Sequence, residues 1–195
     1  MRTLFTVAAL VALAGALGAQ DKKDLFESKD GRFVAKFPAD KKPEVSTQKA
    51  GDLSLTVTMT ESKDKAGFAV IYTDMPASIL KEVKAEELLK GAEKGLVDNF
   101  KVTVSKSGEA KVTGGGKEYP AREVVGTKDT GTKDELHLRL KVALADCRLY
   151  QVFVVGGKDA VTGKAADEFL QSFALIEAPK EAVKDKEPTK EPGKN

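Results

Sequence analysis

The stretch from Cys147 to Ile176, CRLYQVFVVGGKDAVTGKAADEFLQSFALI, constrains the fold more than any other part of the chain. Leu149 to Val155 is a near-continuous run of aliphatic, β-branched and aromatic residues, the pattern of a strand covered on both sheet faces. Gly156 and Gly157 break it. Ala165, Ala166, Phe169 and Leu170 then recur at helical spacing, with Lys164, Asp167, Glu168 and Gln171 on the wet side. Phe173 to Ile176 reads as a short closing strand. A strand and a helix that each need cover can cover one another. The stretch predicts a shape and names no activity.

Both ends read differently from the middle. Residues 1–19 have the pattern of a signal peptide: Arg2, an apolar run from Leu4 to Leu17, and small residues at Gly18 and Ala19 where cleavage is expected. That run is shorter than the ~20 apolar residues of a membrane span, and no second one follows, so no span is expected in the mature chain. Residues 178–195, rich in Lys, Glu and Pro with nearly cancelling charge, are expected to be a disordered tail. Residues 24–177 between them have the size of a single domain. The expectation is an exported protein, periplasmic or extracellular and soluble.

Charge excludes some partners. The chain has 32 Lys and Arg against 30 Asp and Glu, and removal of Arg2 with the leader leaves about +1. Such a balance gives no electrostatic case for nucleic acid or an anionic membrane. Cys147 is the only cysteine, so no intramolecular disulfide forms. A buried, inert thiol is expected, with an intermolecular link as the alternative.

In chain order, Leu25 to Phe37 reads as a hairpin turned by Asp30-Gly31, with Phe33, Ala35 and Phe37 inward. Lys41 to Gln48 is a polar connection or edge strand. Leu53, Leu55, Val57 and Met59 alternate with Ser54, Thr56, Thr58 and Thr60, and the apolar set is expected on the core. Gly67 to Thr73 is a more central strand, and Ala85 to Asn99 a helix buried through Leu88, Leu89, Ala92, Leu96 and Val97. Its Gly91 and Gly95 are read as tolerated. Val102 to Val112, bulged at Gly108, and Tyr119 to Thr127, with Pro120 marking an edge or bulge, follow. In Leu136 to Leu144 the leucines and Val142 point inward, and His137, Arg139 and Lys141 outward. The order predicts an α+β fold, a mostly antiparallel β-sheet with two main helices packed on it.

Three motifs carry a resemblance: DGRFVAKFP at Asp30 to Pro38, GKEYPAREVVG before a long alternating strand, and RLYQVFVV before a small-residue helix and FLQSFAL. With them the chain resembles the exported bacterial relatives of the PsbP-like superfamily from about Leu25 to Ile176. The resemblance implies an antiparallel sheet sandwiched by helices and used for docking onto other proteins. Its motifs are structural, and they transfer no binding or catalytic residue.

Catalytic constellations are missing or weak. His137 is the only histidine, so no histidine metal cluster can form. A Cys147–His137 nucleophile pair across a hairpin is conceivable, against the plainer reading of a buried thiol and a solvated imidazole. Gly114-Gly115-Gly116-Lys117 lacks phosphate-loop spacing and reads as a hairpin turn. Gly156-Gly157-Lys158 stands between strand and helix, a weak anion-site signal. Asp129 to Asp134 lacks calcium-loop spacing, and Glu86, Glu87 and Glu93 belong to a solvated helix face. No catalytic, cofactor-binding or metal residue is therefore assigned, and no cofactor. The expected function is a non-enzymatic exported domain that binds or scaffolds another envelope protein. A small-ligand or metal-binding extracytoplasmic domain is the alternative, using a pocket between sheet and helices or the loop at Asp129 to Asp134.

Overall fold

Alternating runs separated by turn residues become hairpins, and the hairpins assemble into one sheet. A computed structural model describes residues 24–131 and 135–177; the expected leader at 1–19, the tail at 178–195 and part of the Asp129–Asp134 loop lie outside the described residues. The strands and helices are β1 (Phe26–Ser28), β2 (Phe33–Ala35), β3 (Glu44–Ala50), β4 (Leu53–Glu61), β5 (Gly67–Asp74), α1 (Ala77–Glu82) and α2 (Ala85–Phe100). There follow β6 (Thr103–Gly114), β7 (Lys117–Lys128), β8 (Leu136–Ala145), β9 (Arg148–Gly156), α3 (Lys158–Thr162), α4 (Lys164–Ser172) and β10 (Ala174–Leu175). The sheet order is β1-β2-β10-β6-β7-β8-β9-β5-β4-β3.

This corrects the expected fold class. The sheet is mixed and curled, with ten strands and four helices, in place of a mostly antiparallel sheet with two main helices. One pairing is parallel: β10 meets β6 at Leu175 and Gly114. The closing strand expected at Phe173 to Ile176 is present as the two-residue β10, but two residues carry no alternation that could announce a parallel partner. Gly114 admits it, since a Cβ there would stand 2.3 Å from Leu175 Cβ. The second expected helix is split at Gly163, whose extended backbone caps α4 and where a Cβ would stand 2.7 Å from the Asp159 carbonyl oxygen.

Both faces carry a core, as the unbroken apolar run of β9 requires. On one face Tyr150, Val152 and Val154 of β9 pack with Phe33, Phe37, Phe68, Phe169 and Phe173, under α3 and α4. On the other, Leu149 and Phe153 of β9 pack with Leu138, Leu140, Val142 and Leu144 of β8 and with Leu89 and Leu96 of α2. The "outward" positions of β8 are thus covered too. Arg139 donates to the Asp167 carboxylate at 2.6 Å and to the Val161 carbonyl, and Lys141 donates to the Leu170 carbonyl.

At the end of β4 the expected phase is inverted, although Leu53 and Leu55 are partly buried and Ser54 exposed as expected. Thr58 and Thr60 are buried, while Met59 is 49% exposed. The threonine side lies under the segment before β3, where Lys41 O accepts the Thr60 hydroxyl at 3.4 Å. α2 packs mainly against β7 and β8. The Thr58 hydroxyl is buried without a hydrogen-bond partner among the described residues, and nothing in the structure explains it. The β6 bulge falls between Val104 and Lys106, not at Gly108. β7 is an interior strand, with Pro120 one residue outside its ladder to β8, which begins at Ala121.

Candidate functional site

Two regions stand out. The first is a cavity of about 300 Å³ where the β1–β2 turn, the β6–β7 turn, the β8–β9 turn and the end of β10 meet. The β1–β2 turn is pinned there from below. Tyr150 donates its hydroxyl to the Gly31 carbonyl at 2.8 Å. Arg148 forks onto Asp74 at 2.6 and 2.7 Å, donates to the Asp30 carbonyl, and stacks over the Tyr72 ring at 4.6 Å. Hydrogen bonding from Arg148 holds the Asp74 carboxyl below the usual carboxylate range, and burial pushes the Tyr150 phenol up.

In that turn the left-handed backbone belongs to Arg32 (φ 53°), where the sequence pointed to Asp30-Gly31. Gly31 is needed for space instead, because a Cβ there would stand 2.6 Å from the Phe33 ring. Arg32 is half-buried and lines the cavity with Lys117, Asp146, Glu177, Tyr119 and Tyr150. None of its four charged side chains forms an ion pair or hydrogen bond among the described residues. Sequence reading saw Gly114 to Lys117 as a turn, which they are, and missed Arg32; only a cation inside a tight hairpin turn marked it.

The second region is the free edge. All seven residues of β3 are exposed, and among the described residues β3 pairs only with β4. Val45 is 59% and Met59 49% exposed, on opposite faces of the β3–β4 hairpin. Beside the hairpin, an apolar groove of about 340 Å³ runs between it and α2, lined by Leu53, Leu55, Met75, Leu88 and Leu149. Gly91 opens onto the same groove, and a Cβ there would meet nothing within 4 Å.

The other sequence candidates fall apart. Asp146 and Cys147 form the β8–β9 turn, with Asp146 at φ 54°, so Cys147 is exposed and the expectation of a buried thiol is overturned. His137 pairs with Gly156 at the far end of that hairpin. At roughly 3.3 Å per strand residue, thiol and imidazole are ~30 Å apart and cannot act together. The His137 side chain is 14% exposed, near Glu135 at 3.5 Å. α3, behind Gly156-Gly157, is only five residues long. Glu93 receives hydrogen bonds from Ser107 at 2.7 Å and from Arg122, and so is a clamp between α2, β6 and β7. Among the described residues no group of three or more His, Cys, Asp or Glu side chains could hold a metal, and no helix is long and apolar enough to cross a membrane.

No protein-family model and no curated sequence matches the chain. Its fold is similar to the solution structure of cyanobacterial PsbP (CyanoP) from Synechocystis sp. PCC 6803, at 14% identity and a TM-score of 0.49, covering 83% of this chain and 98% of that one. The likeness is one of fold, and what the chain does is argued from its own residues.

Proposed function

We propose that the chain is a non-enzymatic, exported binding domain that docks another envelope protein along the β3 edge. The fully exposed β3 carries the reading. A sheet-edge strand presents a row of backbone donors and acceptors that an incoming strand can pair with. The exposed Met59 and the groove beneath α2 add apolar surface beside it. Backbone pairing would supply affinity, and side chains seated in the groove would supply selectivity.

The test is photo-crosslinking of the tagged full chain in its own cells. A photoreactive residue at Val45 or Met59 is expected to capture one envelope protein, and the same residue at Lys94, on the outer side of α2, is expected to capture none. Equal capture from all three positions, or none from Val45 and Met59, defeats the reading.

A further inference from the structure

The cavity where the turns meet is lined by no residue of β3 and calls for a different occupant. We propose that it binds a small zwitterion, a molecule of amino-acid size with a carboxylate and an ammonium group.

The argument is one of charge and volume. Its ~300 Å³ is at the low end of the size range of small-molecule pockets. Arg32 and Lys117 supply two positive groups and Asp146 and Glu177 two negative ones; among the described residues none forms a direct ion pair, and Arg32 acts on Asp74 only through space. An apolar ligand would desolvate four charges with no return. An anion would satisfy the cations yet sit against two carboxylates, and a cation would meet the reverse. A ligand with both signs satisfies all four.

The site is also held in place. Arg32 is fixed by its left-handed backbone and by its carbonyl, which accepts the Ile176 N–H at 3.0 Å. Glu177 lies over the β6–β7 turn, where a Cβ on Gly115 would stand 2.6 Å from Glu177 Cγ. The floor is apolar, from Ala145 and Leu175, and Tyr119 and Tyr150 are aromatic walls. Arg32 and Lys117 would take the carboxylate, and Asp146 and Glu177 the ammonium.

Calorimetric titration of the full chain tests this with four probes: glycine, L-leucine, 4-methylpentanoate (leucine without its ammonium) and isoamylamine (leucine without its carboxylate). Glycine or leucine is expected to saturate the protein, at least tenfold more tightly than either singly charged analogue. Arg32→Gln and Lys117→Gln are each expected to weaken zwitterion binding at least tenfold; Lys117 is exposed, so its variant keeps the test valid if Arg32→Gln misfolds. No saturation by either amino acid up to 10 mM overturns the proposal. So does equal binding of 4-methylpentanoate and leucine, or binding that Lys117→Gln leaves unchanged. Crosslinking from Val45 is unaffected by any of these outcomes, so the two readings fail separately.

Discussion

The two faces of the sheet are finished to different degrees. Beneath α4 the core is a web of rings: Phe169 meets Phe37 and Phe68 at 4.9 and 5.4 Å, and Phe173 meets Phe33 and Tyr150 at 5.9 and 5.8 Å. Beneath α2 the core is mainly aliphatic, with one ring pair, Phe100 and Phe153, and it runs out into the open groove before it reaches β4. A face closed by interlocking rings has little room to relax. A face that ends in solvent can give, and has apolar surface left over for something else. Stability is expected to concentrate on the first face and docking on the second.

The largest effect that would break this contrast is at α4. Phe169→Ala and Phe173→Ala should each cost about 3–5 kcal/mol in urea unfolding. Leu89→Ala on α2 removes a similarly buried side chain, but it borders an open cavity against β6 and β7 into which its site can relax, so about 2–3 kcal/mol is expected. Equal costs on both sides would remove the contrast.

A smaller effect concerns the pinned turn. Asp74 is held below its ordinary range, first by its hydrogen bond to Arg148, so the stability it adds is present above its unfolded pKa and lost as pH falls through the folded one. The melting temperature should fall more between pH 4 and pH 2 in the parent than in Asp74→Asn. Parallel pH curves would show that the turn is held by Tyr150 and packing alone. The least effect is expected from Met59→Lys, within about 0.5 kcal/mol in stability, together with loss of the crosslinked partner. A large destabilisation would mean that the Met59 side chain belongs to the core.

Much of this was legible beforehand. The β9 run, the hairpins and the stripe of α2 and α4 follow from periodicity, which local sequence encodes directly. Alternation in β4 gave the period but not the side buried at its end, because the Thr60 hydroxyl is met by the segment before β3, which no local pattern encodes. The closing strand at Phe173 to Ile176 was legible but its parallel partner was not, and the break at Gly163 depends on the close Asp159 carbonyl, which no local pattern encodes. Cys147 was misplaced by the habit of burying lone thiols, although its neighbour Asp146 is a turn former. The cavity was invisible for a simpler reason: its charges come from four separate stretches of chain.

The position of β10 also sets an order in time. The β1–β2 hairpin, near the N-terminus, joins the main sheet through β10, near the other end: Phe33 and Val34 pair with Leu175 and Ala174, which continue to Gly114. Closing so long a loop costs little extra at equilibrium but slows the search for it. During synthesis the first hairpin must wait, unpaired on that side, for nearly all of the domain to emerge. A chain cut before Ala174 would lose that ladder and hold the hairpin only by its packing and by the Tyr150 and Arg148 bonds to its turn.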